Sequence, residues 1–388
     1  MSAPRLDLVT GSLSRQGGGV AEVARQTGLG LVGEGTFDVR LVATRDGDLD
    51  RDLHNLGTLA VRAYRFFGPS TFRISPGLFW RVLTSDADVM AVHGLWAFHG
   101  FAVLAWHLRT GRPYVLVPHG MLEPWILRRS RGLKRLVSLL YQDLLLHCAA
   151  GFQVLTEAES RDVRALLPAA HCVAIANAVG QNQPEDALPQ WHGEAMRSRR
   201  VYLFFGRIHD KKGWLELCLA WQVLCRRDCG FAARSQLVFC GWLDQVADFD
   251  LAVAALNAEF GNVSHVGPQY GQEKARSLQA AHVLVLPSKS EGLPVVVLEA
   301  WSHGIPVLMT EACNLPQGFA SGAALRIGED APSVIEGLAQ ADRWDKFEIV
   351  SMSKAARALV AQAFSPAVIA GEISSLLQSV LVRSGRAT

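Results

Sequence analysis

The sequence contains 388 residues, of which 49% are hydrophobic and 19% are charged, and its formal net charge at pH 7 is +2. This length exceeds one ordinary core and predicts two or three domains. The balanced charge gives no general basis for nucleic-acid binding, and no apolar run reaches the roughly 18 residues of a membrane span, because Gln142 and Asp143 interrupt the longest one.

The N-terminal residues predict a buried strand followed by a glycine-rich turn. Leu6 to Thr10 form a short apolar run, and Gly17, Gly18 and Gly19 precede a helical pattern. Glycines between a strand and a helix let backbone amides approach a phosphate, so Gly18 and Gly19 are candidate ligand contacts; a tight turn alone is the alternative. The absence of a signal-peptide pattern and of metal-type cysteine spacing predicts reduced thiols and a cytoplasmic protein.

Gly28, Gly30 and Gly33 match the G-x-G-x-x-G pattern of dinucleotide-binding turns. That pattern binds a dinucleotide when it follows a strand and opens a helix. Here it follows a helical pattern and precedes the predicted strand Phe37 to Ala43. We therefore predict that these glycines end a helix and form a loop.

Four further strands are predicted in the first half, at 89–93, 114–117, 152–155 and 173–175. Helical patterns separate them, which predicts a mostly parallel, doubly wound sheet. His93 and His119 come at the ends of two successive strands. An imidazole at such a position could orient or polarise a substrate hydroxyl, and a purely structural role is the alternative. Thr156 and Glu159 predict a capping box at the start of the next helix.

A basic cluster lies between Trp125 and an apolar helical pattern. Its members are Arg128, Arg129, Arg131, Lys134 and Arg135. Basic residues beside an aromatic side chain and an apolar helix predict a surface for anionic lipid head groups. A solvated helix start is the alternative.

The segment from Asn177 to Arg200 is polar and irregular, which predicts a linker between two domains. After it, strands alternate with helices a second time, at 201–205, 236–240, 263–266, 283–286 and 305–309. Two doubly wound sheets joined by a linker predict a binding cleft between domains. The tail from Pro366 to Leu381 has a helical pattern.

Two cations follow the first strand of the second half. Arg207 comes directly after Gly206, and Lys212 precedes Gly213 and a helical pattern. Cations at the carboxyl end of a strand, beside a helix start, are placed to hold a diphosphate and to neutralise charge on a leaving group. A solvated charged turn is the alternative.

Glu291 and Glu299 lie in a strand–loop–helix segment at 282–310, with Gly292 and Leu293 at the mouth of a helix that Pro294 is predicted to begin. In a helix, eight residues would separate the two carboxylates by roughly 12 Å. Glycosidase pairs lie roughly 5 to 9.5 Å apart. The spacing therefore favours two contacts with one elongated ligand that has hydroxyls at both ends and phosphate between them, such as a nucleotide sugar.

These motifs resemble one known family in combination. The sequence SEGLPVVVLEA at 290–300 resembles the E-x7-E motif of retaining glycosyltransferases of the GT-B fold, family 4. FFGRIHDKKG at 204–213 is similar to the family's Gly-Arg and Lys-Gly pattern, GPQYGQEK at 267–274 to its loop before the next helix, and GGG at 17–19 to its glycine loop. VPHGMLEPW at 117–125, with the basic residues after it, resembles bacterial members that build surface polysaccharides.

The resemblance implies an α/β protein of the GT-B fold, with two Rossmann-like, doubly wound parallel-sheet domains facing across a cleft. Residues 1–178 would form the acceptor-side domain, with a C-terminal helix at 366–388 crossing back onto it. Residues 179–199 would be the linker, and residues 200–365 would bind the nucleotide-sugar donor.

The resemblance also implies donor contacts. Glu291 would contact the hydroxyls of the donor sugar, with the amides of Gly292 and Leu293 nearby. Glu299 would hold the ribose hydroxyls.

The remaining roles concern the reacting groups. Arg207 and Lys212 would bind the donor diphosphate and stabilise the leaving nucleotide, so that no metal is needed. Gly18 and Gly19 would approach the phosphates or the acceptor, and His119 would help to place the acceptor.

The expected activity is therefore transfer of a hexose from a UDP- or GDP-linked donor to a saccharide or lipid-linked acceptor, with retained anomeric configuration. Exopolysaccharide, lipopolysaccharide or capsule synthesis is the expected context, with a cytoplasmic protein that is either soluble or peripheral on the inner face of the membrane. We expect no cofactor, since the nucleotide sugar is a substrate, and no metal. A nucleotide-sugar epimerase, a phosphorylase and a non-catalytic binding protein are the alternatives.

Overall fold

Two parallel β-sheets of seven and six strands dominate the computed structural model, which describes residues 3–52, 56–128, 131–180 and 187–385. Each sheet belongs to one compact unit. Unit 1 comprises residues 1–178 and 366–388, and unit 2 comprises residues 179–365.

Every strand pair in the sheet of unit 1 is parallel, and the strand order is β3-β2-β1-β4-β5-β6-β7. The strands are β1 (Arg5–Thr10), β2 (Asp38–Arg45), β3 (Ala60–Arg65), β4 (Val89–His93), β5 (Tyr114–Val117), β6 (Gly151–Val154) and β7 (Cys172–Ala174). The order runs outward in both directions from β1 and β4, so the loops after these two strands diverge. That divergence creates a crevice at the carboxyl ends of the strands, where doubly wound folds bind ligands.

The helices of unit 1 cover both faces of its sheet. They are α1 (Gly18–Glu34), α2 (Leu49–Asp52), α3 (Pro76–Leu83), α4 (Phe98–Thr110), α5 (Pro124–Arg128), α6 (Arg131–Val137), α7 (Asp143–His147) and α8 (Glu157–Leu166). A π-helical turn, Ser138–Gln142, joins α6 to α7. One core lies under α1, and the other lies under α3, α4 and the run from α6 to α7.

The last helix of the chain, α17 (Pro366–Arg383), belongs to unit 1. Its buried side chains, including Ile369, Ile373 and Leu377, join the core under α1. Within the described residues, the helical run Lys346–Arg383 that contains α17 is the one span whose length and composition would allow it to cross a membrane. In unit 1, however, the apolar side of α17 is used for internal packing.

The prediction for Gly28, Gly30 and Gly33 was wrong in one respect: all three lie inside α1, which ends at Glu34, and not in a loop. A Cβ on Gly30 would lie 3.0 Å from Cβ of Ala370 in α17, and one on Gly28 would lie 3.1 Å from Leu59. The small residues therefore allow close packing around α1, which explains why the chain tolerates glycine within a helix.

Unit 2 has the same design, with strand order β10-β9-β8-β11-β12-β13 and parallel pairing throughout. The strands are β8 (Arg200–Phe205), β9 (Ser235–Cys240), β10 (Val263–His265), β11 (Val283–Leu286), β12 (Val307–Met309) and β13 (Ala324–Arg326). The helices are α9 (Trp214–Arg227), α10 (Cys229–Arg234), α11 (Phe249–Phe260), α12 (Gly271–Gln279), α13 (Val295–Ser302), α14 (Pro316–Ser321), α15 (Ala331–Asp342) and α16 (Lys346–Leu359), the last followed by a π-helical turn, Val360–Phe364. In this sheet the strand order runs outward in both directions from β8 and β11, so the loops after these two strands diverge.

Candidate functional site

In unit 2, the two loops that follow β8 and β11 bring Lys212 and Glu291 together. Nζ of Lys212 lies 2.5 Å from Oε1 of Glu291, and the two side chains are 16% and 9% exposed. β8 and β11 are adjacent strands, so the pair lies at the point where the strand order diverges. The structure thus places two of the predicted site residues in direct contact at the edge where ligands bind in this class of sheet.

Gly213 explains how the two loops come so close. Its φ of 69° lies in the left-handed region, and a Cβ there would sit 2.1 Å from the carbonyl oxygen of Pro287. The amide of Lys289 also donates to the carbonyl of Lys211 at 2.7 Å. Because only glycine fits beside Pro287, the Lys-Gly pattern holds Lys212 against the loop that carries Glu291.

Hydrogen bonds fix the Glu291 loop in place. Oγ of Ser288 donates to Oε1 of Glu291 at 2.7 Å. Nδ2 of Asn314 donates to the carbonyl of Glu291 at 2.6 Å and to that of Gly292 at 3.2 Å. These contacts orient the carboxylate before any ligand binds, which reduces the reorganisation that binding requires.

Helix α13 begins directly after this loop. Pro294 is the residue that precedes the helix, which starts at Val295, one position later than predicted. The amides of Gly292 and Leu293 donate to no backbone carbonyl of the described residues. Amides at the start of a helix carry partial positive charge, so this loop can accept an anionic ligand.

Arg207 lies in the loop after β8, as predicted, and forms an ion pair with Asp244. Nη1 of Arg207 donates to Oδ2 of Asp244 at 2.9 Å, and the two side chains are 42% and 31% exposed. The guanidinium is therefore oriented by a carboxylate and still reachable from solvent. Of its five N–H groups, one donates to Asp244 and four remain for phosphate oxygens.

Glu299 lies in α13, and its partner is Lys274 in the first turns of α12. Nζ of Lys274 lies 2.5 Å from Oε1 of Glu299 and 5.8 Å from the ring centre of Phe205, the last residue of β8. Glu299 and Glu291 thus each contact a different lysine. The structure keeps the two carboxylates on separate cations, and their use as two contacts with one elongated ligand stays a prediction.

In unit 1, the glycine turn and the two predicted histidines lie at the edge where β1 and β4 end. Gly18 has a φ of 56°, and open space surrounds the positions that a Cβ would take at Gly18 and Gly19. A Cβ on Gly94, the residue after β4, would lie 3.9 Å from Val20 in α1. The start of α1 therefore lies beside the end of β4.

His93 and His119 are in contact. Nδ1 of His93 lies 3.2 Å from Nε2 of His119, and the two rings stack with their centres 5.3 Å apart. His119 has a φ of 54°, in the left-handed region. One imidazole donates its N–H to the other, so the pair is held in a defined arrangement when both rings are neutral.

Burial makes these histidines weak bases. It lowers the pKa of His119 to about 4, and it lowers the pKa of His93 well below the ordinary value, with His119 and His99 adding to the effect. Burial also lowers the pKa of His99, whose Nε2 lies 3.1 Å from the carbonyl of His93, to about 4. All three rings are therefore neutral at pH 7 and can act as hydrogen-bond partners but not as cations.

Glu159 holds the loop that carries His119. Its carboxylate is buried and accepts the amides of Gly120 at 2.6 Å and Leu155 at 2.7 Å. Thr156 caps the amide of Glu159, as predicted, but the reciprocal bond of a capping box is replaced by these two contacts. Burial raises the pKa of Glu159, while both amide bonds lower it. Glu159 therefore joins the loops after β5 and β6.

The basic cluster lies partly outside the described residues. Arg129 is outside them, and for Arg128 and Arg131 the structure describes only their places in α5 and α6. Nζ of Lys134 donates to the carbonyl of Ile126 and lies 5.5 Å from the ring centre of Trp96, and Arg135 is exposed. Lipid binding by this cluster stays a prediction.

Sequence reasoning missed the partners of the predicted site residues. Asp244, Lys274, Asn314 and Glu159 each lie at least 22 residues from the site residue or loop that they contact. The signal available for Lys274 was its place in the GPQYGQEK segment, which is part of the family resemblance. Within the residues that the structure describes, no three His, Cys, Asp or Glu side chains are grouped to hold a metal ion.

Comparison with protein families gives two matches that together span most of the chain. Residues 18–178 match the model described as "Glycosyl transferase 4-like domain", and residues 199–341 match the model described as "Glycosyl transferases group 1". None of the curated protein sequences compared with the chain matches it.

Solved structures are similar along nearly the whole chain. Alr3699/HepE from Anabaena, solved with UDP and glucose, has a TM-score of 0.71 and 15% identity, covering 97% of this chain and all of its own. Sucrose-phosphate synthase from Thermosynechococcus elongatus has a TM-score of 0.69 and 19% identity, covering 98% of this chain and all of its own. A putative UDP-N-acetylglucosamine 2-epimerase from Listeria monocytogenes has a TM-score of 0.63 and 16% identity, covering 99% of this chain and 98% of its own. At these identities the likeness shows the fold.

Proposed function

The chain belongs to the group 1 glycosyl transferases and has the GT-B fold, and we propose that it is a retaining, metal-independent hexosyltransferase that uses a nucleoside diphosphate sugar. The observation that carries this proposal is the pairing of Lys212 with Glu291 at the diverging strands of unit 2. A cation for phosphate and a carboxylate for sugar hydroxyls are adjacent there, as a ligand with a sugar next to a phosphate requires.

The donor is bound by unit 2. Glu291 accepts hydrogen bonds from hydroxyls of the hexose, with the amides of Gly292 and Leu293 beside it, and Glu299 accepts those of the ribose. Arg207 and Lys212 hold the diphosphate between them. The Anabaena neighbour was solved with UDP and glucose, which supports a uridine nucleotide and a hexose as the first donor to test.

In the proposed reaction, the bond between the anomeric carbon and the diphosphate oxygen breaks, and the acceptor oxygen bonds to that carbon on the same face. The acceptor hydroxyl gives its proton to the departing phosphate oxygen. Negative charge grows on the diphosphate during this step, and Arg207 and Lys212 are already oriented to stabilise it. This pair of cations supports the proposal of metal independence, because two side-chain cations can supply the charge that a metal ion supplies in other transferases.

The acceptor is bound by unit 1. A neutral His119 accepts or donates a hydrogen bond at an acceptor hydroxyl, and its contact with His93 fixes the ring orientation. Gly18 and Gly19 leave open space at the start of α1 for a saccharide or a phosphate. A saccharide or lipid-linked saccharide used in surface-polysaccharide synthesis is the proposed acceptor, and the cytoplasmic side of the membrane is the proposed location.

The experiment that tests this function is a turnover assay with UDP- and GDP-hexoses and a panel of saccharide and polyprenyl-linked acceptors. Thermal shift with each nucleotide sugar first selects the donor, because a bound ligand stabilises the folded state. Proton NMR of the product then reports the anomeric configuration. Inversion would contradict the retaining mechanism, and loss of turnover in a chelator would contradict metal independence.

Epimerisation is the second candidate, because one solved neighbour is described as a putative epimerase. The two reactions differ in their need for an acceptor. Incubation with the donor alone distinguishes them: a transferase releases little product, whereas an epimerase converts the nucleotide sugar to its epimer. Formation of an epimer at the rate of normal turnover would replace the transferase proposal.

A further inference from the structure

The helical run from α6 to α7 is apolar on its buried side and also on its exposed side. Val137, Tyr141 and Leu145 are buried in the core of unit 1. The other side carries a row of exposed leucines, here named the leucine face: Leu133 (62% exposed), Leu136 (53%), Leu139 (78%), Leu140 (69%) and Leu144 (48%). A surface helix ordinarily has polar residues on its outer side, so this arrangement requires an explanation.

Exposed aromatic side chains lie on two helices near this run, α4 and α3. The ring of Tyr141 lies 5.7 Å from that of Phe101 in α4, which stacks on Phe79 of α3 at 5.7 Å. Trp80 lies beside Phe79 and is 62% exposed. Exposed apolar side chains therefore occur on three neighbouring elements of unit 1, and the five leucines of the leucine face form an exposed apolar row of the kind that marks interaction sites.

The positive charge beside the leucine face indicates an anionic partner. Residues 128–135 contain five cations and no acidic residue, whereas the whole chain has a net charge of only +2. This cationic segment begins just before the leucine face and overlaps its first turn. Exposed leucines and aromatic rings beside clustered Lys and Arg are the features of helices that lie in the interface of an anionic bilayer.

A second copy of this chain fits the surface less well. A twofold contact through the leucine face would join two copies of the same patch, and residues 128–144 contain five cations and one acidic residue, Asp143. Two patches of the same net charge oppose association. An anionic lipid surface has the opposite charge and accepts the apolar side chains as well.

We propose that the leucine face inserts into the head-group region of an anionic bilayer and anchors unit 1 there. This goes beyond electrostatic attraction by the basic cluster, because the leucines supply an attachment that salt does not screen. The inference extends the proposed use of a lipid-linked acceptor, since it holds unit 1 at the membrane where such an acceptor resides.

The test is co-sedimentation with vesicles of phosphatidylglycerol and phosphatidylcholine, and with vesicles of phosphatidylcholine alone, at 0.1 M and 1 M salt. The variant carries Leu136→Ser, Leu139→Ser and Leu140→Ser. The matched control carries the same change at three exposed leucines of unit 2, Leu188, Leu219 and Leu251 (51%, 46% and 72% exposed). Circular dichroism and the thermal shift with UDP-glucose, measured without vesicles, report folding and donor binding.

We expect the leucine-face variant to lose at least about tenfold in its partition coefficient on anionic vesicles, because three apolar side chains no longer leave water. Wild type and control should retain part of their binding at 1 M salt, where the Debye length is about 3 Å, and the variant should lose it. Equal partitioning of variant and wild type, or binding abolished by salt in all three proteins, would overturn the inference. So would a wild-type dimer that the variant dissociates.

The readouts keep this inference separate from the proposed function. If the vesicle results are as expected but no nucleotide sugar shifts the melting temperature, the transferase proposal fails and the membrane surface stands. If the donor binds equally to all three proteins and vesicle binding does not depend on the leucines, the membrane surface fails and the transferase proposal stands.

Discussion

The ammonium of Lys212 lies 2.5 Å from a carboxylate oxygen of Glu291, and both side chains are largely shielded from water. The same oxygen accepts the hydroxyl of Ser288. Shielding strengthens the attraction between the charges, but it also makes the pair sensitive to loss of either partner. This contact therefore has consequences for both catalysis and stability, and the two can be measured separately.

We expect Lys212→Ala to lower kcat by roughly a hundredfold or more, which corresponds to about 3 kcal/mol of lost transition-state stabilisation. The variant should also be less stable, because it leaves a shielded carboxylate unpaired. Adding Glu291→Gln should restore most of the stability, measured by urea unfolding, without restoring turnover. Lys211→Ala is the neighbouring control. Normal turnover by Lys212→Ala would contradict the assigned role.

For Arg207 we expect an effect on catalysis without an effect on stability, because its ion pair with Asp244 is partly exposed. Such pairs contribute at most about 1 kcal/mol to stability. We therefore expect Arg207→Ala to leave the unfolding midpoint nearly unchanged and to lower kcat by about a hundredfold or more. Arg226→Ala removes an exposed pair with Glu259 elsewhere in unit 2 and should change neither quantity. If Arg207→Ala lost much of its stability but kept its kcat, Arg207 would have a structural role and not a catalytic one.

Glu159 is expected to act by positioning the loop of His119. The amides of Gly120 and Leu155 donate to different carboxylate oxygens, and in Glu159→Gln one of these becomes an NH2 group that cannot accept, so one of the two bonds is lost. We expect kcat/KM for the acceptor to fall while the KM for the donor stays constant. Glu157→Gln, an exposed change in the same helix, is the control. An equal effect on donor and acceptor parameters would indicate a general structural role.

The buried histidines predict a loss of stability in mild acid. Unfolded histidines have a pKa near 6.5, whereas burial lowers the pKa of His99 and of His119 to about 4. The unfolded chain therefore binds more protons between these values, and stability falls as the pH drops from 6.5 towards 4. His99 and His119 should each lower the free energy of unfolding by about 2 kcal/mol between pH 7 and pH 5.

Urea unfolding at pH 7 and pH 5 measures this effect. His99→Gln should recover about 2 kcal/mol of the difference between the two pH values, because one buried imidazole no longer titrates. His147→Gln changes an exposed histidine and should leave the difference as it is in wild type. An unaltered difference in His99→Gln would show that this ring is not protonated on unfolding.

The central strands could be predicted from the sequence because they are buried on both faces. The boundaries of β4, β5 and β11 agree with the prediction, and all three are continuous apolar runs with buried residues throughout. The edge strand β3 was missed, because all of its residues are exposed or only partly buried and they include Arg62 and Arg65. A half-exposed strand has no pattern that distinguishes it from a loop with a few apolar residues.

The site could be predicted only in part, for a related reason. Arg207, Lys212 and Glu291 lie next to strands and glycines, whose local patterns mark the edge of a sheet. Their partners depend on which strands are neighbours: Lys212 and Glu291 lie 79 residues apart in sequence and meet because β8 and β11 pair. A local sequence pattern does not show which strands pair, so it could not predict this contact.

The membership of α17 in unit 1 has a consequence for synthesis of the chain. Strands β1 to β7 leave the ribosome before unit 2, but the core that they share with α1 lacks Ile369, Ile373 and Leu377 until residues 366–388 are made. Unit 2, residues 179–365, is translated in between, and α17 is assigned to unit 1. Unit 1 is therefore begun before unit 2 and completed after it, and a nonsense mutation just after residue 365 would expose the core of unit 1.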